Sequence, residues 1–147
     1  GGKGDLKPYI VKTLDPRIHA AVNCAALSCP RVRELAYTAK NVDALLEENF
    51  KEYFTSDEQF SKADSDTIKA NSIVFWYYPD FDDHAKEVLG LKGAGHYVSK
   101  FVGETKDKAW KIKHLEENFS DRSRFSLKLS SAFDFHYNWV INDIRNK

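Results

Sequence analysis

The sequence predicts an α+β fold, with helices packed on a small, mostly antiparallel sheet. Three observations predict it. Asn41 to Phe54 repeats apolar residues at helical spacing, with Val42, Leu45, Leu46, Phe50 and Tyr53 on one stripe. Phe133 to Ile141 alternates instead, with Phe133, Phe135, Tyr137, Trp139 and Ile141 sharing one strand face. Between them, Phe60–Ala63 and Thr67–Ala70 flank a polar Asp64-Ser65-Asp66 turn, the pattern of a hairpin.

The elements follow in order. Residues 1–4, GGKG, read as disordered or as an appended remnant, and one globular unit is expected over 5–147. Asp5 can cap a short helix reaching Leu14, with Pro8 in its first turn. From Ile18 to Ala26 the residues are small or β-branched, broken by Asn23. Pro16 favours an extended entry, so this run reads as a central buried strand. Alternation then sets His19 and Asn23 on one face and Cys24 on the other, where Cys24 serves as a small core residue.

Pro30 can open a short helix through Leu35, which makes Cys29 its cap. A thiol there feels the positive helix end and ionises more readily; the plainer reading is an inert core thiol. On the Asn41–Phe54 helix, Glu47, Glu48, Lys51 and Glu52 fall outside the stripe and read as a solvated face before they read as a partner surface. Asn71 or Ser72 caps an aromatic helix from Ile73 to Tyr78, stopped by Pro79. Ile73, Trp76 and Tyr77 share a side and are expected in the core rather than stacked on a ligand.

Asp82 or Asp83 starts a helix that ends at Gly90, and His96 to Val102 forms another, closed by Gly103. GLKGAG lacks the Lys-Ser/Thr ending of a phosphate loop and follows no apolar strand. Asp107 to Asn118 reads as a helix with Trp110, Ile112 and Leu115 half-buried, and Phe125 to Leu129 as a strand.

Composition narrows the function. The chain has 147 residues, 42% hydrophobic, with 22 basic residues against 22 acidic ones. That balance argues against a broad electrostatic grip on nucleic acid or on an anionic membrane. No apolar run approaches the roughly 20 residues of a membrane span. Methionine is absent even at position one, which reads as a chain that starts after processing or at an engineered boundary. Nothing in the sequence assigns a compartment.

The chemistry concentrates in Asp15–Pro30, DPRIHAAVNCAALSCP, which holds both cysteines. Four readings compete. The favoured one is a thiol-dependent hydrolase or transferase with Cys29 as nucleophile. Its base is His19, or His136 with Asn138 two residues on as the orienting group. Zinc is disfavoured, because His19, Cys24 and Cys29 lack the spacing of a known finger or ribbon; neither metal nor cofactor is expected. A redox pair lacks the two-residue spacing of a thioredoxin-like motif, since four residues separate Cys24 and Cys29. It needs the two Cα atoms within about 7 Å, which a tight turn at Ala25–Ser28 would supply and an extended strand would not. The fourth reading is a non-catalytic interaction or structural module that assembles with another chain, its cysteines structural or disulfide-bonded.

These residues resemble the signature of the domain-of-unknown-function 547 family. The similar string is Asp15-Pro16, His19, Cys24 and Ser28-Cys29-Pro30. The likeness continues at Ala36-Tyr37-Thr38, Ser72-Ile73, Phe75-Trp76-Tyr77, Asp80-Phe81, Tyr137-Asn138-Trp139 and Asn142-Asp143. The resemblance puts His19 and Cys29 in one motif, while His136 lies outside it. Asn138 stands where the family usually has aspartate, which weakens any role for a carboxylate there. Nothing before Asp15 resembles the family's upstream Trp/Asn/Tyr-rich helix, so a protein partner or a missing N-terminal segment is implied. Kinship with papain-like or transglutaminase-like cysteine enzymes is an analogy at the level of fold.

Overall fold

The computed structural model describes residues 11–120 and 132–141. Among these residues, five α-helices and three strands follow one another: α1 (Val42–Thr55), β1 (Phe60–Lys62), β2 (Ile68–Asn71), α2 (Ser72–Trp76), α3 (Tyr78–Asp83), α4 (Ala94–Val98), α5 (Lys108–Asn118) and β3 (Phe133–His136). The fold is α+β, as the pattern predicts. The sheet, in order β1-β2-β3, is mixed: β1 and β2 pair antiparallel and β2 and β3 parallel.

Several expected elements form for the expected reasons. α1 buries Leu45, Leu46, Phe50 and Tyr53, and adds Asn49 and Phe54 to the buried side. The hairpin pairs Phe60 with Ala70 and Lys62 with Ile68 across a tip where Asp64 accepts the Asp66 amide. Asn71 caps α2 by accepting the Ile73 amide at 3.0 Å. Gly90, at φ +65, ends the stretch where α3 runs on as a π-helical turn over His84–Val88.

Other expectations are corrected. Ile18–Ala26 is not a strand. Asp15 caps a 3₁₀ turn over Pro16–Ala20 by accepting the Arg17 amide, so Asp-Pro acts here as a helix start. Only Ala26 makes a β-bridge, antiparallel to Ile141. Residues 30–35 form no helix, so Cys29 is no cap. Pro79 does not stop the aromatic helix but opens α3, where its missing N–H costs nothing. The helix expected at 96–102 begins two residues earlier, at Ala94, and its last turn is 3₁₀. Gly95 permits that start: a Cβ there would lie 2.1 Å from the Leu115 carbonyl oxygen of α5. Residues 11–14 are not helical; the rest of the expected first helix and the strand at 125–129 lie outside the described residues.

The core is an aromatic layer. Phe50, Phe54, Phe60, Tyr78, Phe81 and Phe119 are nearly fully buried. Edge-to-face contacts run through the layer, as in Phe50–Phe101 at 4.7 Å and Tyr78–Phe119 at 4.8 Å between centroids. Each such side chain contributes about 1.5–3 kcal/mol of burial. Lys111 of α5 is also buried, and its ammonium donates to the Phe60 carbonyl at 3.0 Å.

The acidic face of α1 turns out to have partners within the chain. Arg17 bonds Asp43 at 2.6 Å and Glu47 at 3.1 Å, and Arg33 bonds Glu52 at 2.6 Å and Glu48 at 3.0 Å. These two arginines strap the irregular segment 15–38 along α1. That segment carries both cysteines.

Candidate functional site

The segment from Asn23 to Pro30 closes on itself. The Asn23 side chain spans it, donating from Nδ2 to the Pro30 carbonyl at 2.6 Å and accepting the Ala25 amide at 2.6 Å. Ala25 sits at φ +64, a left-handed conformation that costs a residue with a Cβ about 1–2 kcal/mol. The chain can then double back instead of running on as a strand. Backbone pairing fixes the returning limb: the Leu27 amide donates to the Val140 carbonyl at 2.8 Å, and the Asn138 amide to Ser28 Oγ at 2.7 Å. From below, buried Asn71 donates to the Ser28 carbonyl at 2.6 Å.

The turn brings the two thiols together. Cys24 Sγ and Cys29 Sγ lie 2.7 Å apart, both cysteines are free, and the Cys24 amide donates to Cys29 Sγ at 3.0 Å. The exposures correct the expectation for Cys24 and fit the plainer reading of Cys29 as a core thiol. Cys24, expected in the core, is exposed, while Cys29 is only 8% exposed. The reason is the loss of strand alternation once Ala25 turns the chain.

Tyr137 completes the group. Its hydroxyl lies 3.2 Å from Cys29 Sγ and 3.4 Å from Cys24 Sγ. The Cys24 thiol is held down to about 7, first by its hydrogen bond with Cys29, then by Tyr137 and the Ala26 amide. The Tyr137 phenol is pushed up, by burial first and then by the neighbouring sulfurs. Its ring packs against Trp139, at 4.5 Å, and Trp76, at 4.9 Å. Trp76 and Tyr77, expected in the core, are half-exposed, and Trp139 is 67% exposed. The dithiol is thus rimmed by open aromatic surface.

The other expected site residues have different partners. His19 bonds Asp80 through Nε2 at 2.9 Å and stacks on Tyr77 at 3.8 Å. Burial lowers its pKa, against the pull of Asp80. His136 bonds the Glu58 carbonyl through Nε2 at 3.3 Å. The Asn138 side chain accepts the Val140 amide at 3.0 Å, turning its own backbone. The structure therefore brings Cys24 and Cys29 together, while the side chains of His19, His136 and Asn138 each bond elsewhere, Asn138 meeting the turn only through its backbone. Tyr137 and Asn23 were missed as site residues. Both lie in the motif stretches, but only the backbone turn reveals what they touch.

A cleft of about 510 Å³ opens on the inner side of the loop. Cys29, Asn49, Glu52, Tyr53, Glu58 and Gln59 are among its lining residues. Among the described residues, no group of three or more His, Cys, Asp or Glu side chains is placed to hold a metal ion. None of the described helices is long and apolar enough to cross a membrane.

Fold and site together define an α+β protein with a paired-thiol turn docked on an aromatic strand end. The model of a family described as "Protein of unknown function, DUF547" matches residues 3–54, a span that takes in the whole cysteine motif and nearly all of α1. The resemblance is borne out over that segment. No curated protein and no solved structure matches the chain.

Proposed function

We infer that this domain performs thiol chemistry at the Cys24–Cys29 pair, as a thiol–disulfide exchanger. The observation that carries the reading is the 2.7 Å approach of one exposed and one buried sulfur. Cys24 is the attacking thiol, being exposed and lowered to about 7, close to the optimum for exchange at neutral pH. Its thiolate attacks one sulfur of a substrate disulfide and releases the other as a thiolate. Cys29 then attacks Cys24 Sγ, expels the second substrate thiolate, and leaves the Cys24–Cys29 disulfide. The substrate gains two electrons and two protons, and the dithiol loses them. Tyr137, bonded to both sulfurs, stabilises whichever carries the charge.

A second reading keeps Cys29 as the nucleophile of a hydrolase or transferase, because Cys29 lines the cleft. One experiment separates them. Cysteine variants are reacted with an aromatic disulfide across pH and then mapped by intact mass. For exchange, Cys29→Ser traps a mixed disulfide on Cys24, while in the wild type Cys24 reacts with a pH midpoint near 7 and the protein loses two hydrogens. If Cys24→Ser keeps full reactivity and only Cys29→Ser abolishes it, the acyl-transfer reading replaces exchange. If neither thiol reacts until the chain unfolds, the cysteines are structural and the domain is an interaction module.

A further inference from the structure

Tyr137 touches both sulfurs at one end and the exposed aromatic surface at the other. Among the described residues, its hydroxyl bonds only Cys29 Sγ, at 3.2 Å, and Cys24 Sγ, at 3.4 Å. Its ring meets Trp76 and Trp139, which stack on each other at 5.7 Å. Two groups thus reach the sulfurs, and they differ in freedom. The Cys24 amide donates to Cys29 Sγ at 3.0 Å and is fixed by the turn. The Tyr137 side chain is half-buried and free to rotate. The backbone around it is pinned: the Leu27 amide donates to the Val140 carbonyl, the Ser28 amide to the Asn138 carbonyl, and the Asn138 amide to Ser28 Oγ. A change at the sulfurs therefore reaches the Tyr137 side chain before it reaches the strand. Forming the disulfide is such a change. A thiol donates and a thiolate accepts strongly, whereas a disulfide sulfur carries neither proton nor charge. The sulfurs, now 2.7 Å apart, move by less than about 1 Å to reach the bonded distance of about 2.05 Å, so the turn keeps its shape.

We propose that Tyr137 is a redox relay: when the Cys24–Cys29 disulfide forms, its hydroxyl is released from the sulfurs and its ring leaves the Trp76–Trp139 pair, so that the aromatic surface differs between the two states of the dithiol. The proposal rests on the exchange reading above. In the closing step the substrate disulfide bond breaks and the Cys24–Cys29 bond forms. Two electrons and two protons pass from the pair to the substrate, which leaves as two thiols. The Tyr137 hydroxyl then stands beside sulfurs that neither donate nor carry charge, and a buried polar group without a partner is costly. The ring escapes that cost by turning toward water, on the side where Trp139 is 67% exposed. Such coupling is reciprocal. Because Tyr137 bonds the dithiol better than the disulfide, it favours the reduced pair, and removing its hydroxyl stabilises the disulfide.

The test uses the full chain in glutathione buffers of graded redox ratio. Disulfide formation is scored by intact mass, as loss of two hydrogens, and gives the equilibrium constant with glutathione. The indole N–H resonances of the three tryptophans are recorded in both states. Trp110, whose indole donates to the Ser65 carbonyl at 3.1 Å, is the internal reference. On oxidation Trp76 and Trp139 should shift and Trp110 should not. In Tyr137→Phe those two resonances should barely respond to oxidation. Its disulfide should be favoured about three- to tenfold over the wild type, tenfold being about 30 mV for a two-electron couple. Equal shifts in variant and wild type would mean that the sulfurs act on the indoles directly, which overturns the relay, as does an unchanged equilibrium constant. Should the variant not fold, the wild type decides. Ring contacts between Tyr137 and Trp139 that vanish from its nuclear Overhauser spectrum on oxidation support the relay, and contacts that persist overturn it. A disulfide that forms without these effects leaves dithiol exchange intact. Failure to form the disulfide in any mixture overturns the exchange reading, and this proposal with it.

Discussion

The aromatic core and the dithiol turn are held by different physics. In the core, Phe50 touches Phe54, Phe81, Tyr97 and Phe101, with centroids 4.7–5.9 Å apart, and no single contact decides its place. In the turn, a few directional bonds through Asn23, Ser28 and Asn71 hold a left-handed Ala25 in position. Burial is additive and tolerant, whereas hydrogen bonds are specific and each can be removed alone. The core therefore sets whether the chain folds, and the turn sets what its sulfurs can do.

Substitutions can break that division at several depths. The largest effect is expected from Phe50→Ala, which should cost about 3–5 kcal/mol in denaturant unfolding through the cavity it leaves. A loss below about 1 kcal/mol would mean that Phe50 is not central to the layer. Asn71→Ala comes next, because Asn71 belongs to both regions: it caps α2 and supports the Ser28 carbonyl. It should cost about 1–3 kcal/mol and also raise the pH at which Cys24 is alkylated. A stability loss with no change at Cys24 would show that the turn does not lean on Asn71.

Asn23→Ala should have the smallest effect on folding, about 1 kcal/mol or less, with the sharpest effect on chemistry. Opening the turn separates the sulfurs, so Cys24 alkylation should move from about 7 toward the free-thiol value near 8.5. An unchanged midpoint would show that the turn holds the two sulfurs together without Asn23.

The legible parts of the molecule are those with local causes. α1, the 60–71 hairpin, the Asn71 cap and the Gly90 stop were readable because periodicity, turn chemistry and capping act within a few residues. The Asp15–Pro30 stretch was readable as the place of both thiols, since both cysteines fall there. Its conformation was not. Asp15-Pro16 carries two opposite signals, an extended entry before proline and a helix cap, and the Arg17 network on α1 accompanies the cap. The charged face of α1 is exposed, as it was read, but its arginine partners were not legible, because they lie 15 to 30 residues before the carboxylates they bind.

By itself, then, the sequence determined the α+β class, the apolar stripe of α1, the hairpin and the stretch that holds the thiols, all through local rules. Tertiary structure decided which thiol meets solvent and what lies beside it. Tyr137 reaches Cys29 across 108 residues and Cys24 across 113. The turn that makes this contact depends on an alanine in a conformation that its side chain disfavours and its neighbours' hydrogen bonds enforce. Such a balance exists only once the chain has folded around it.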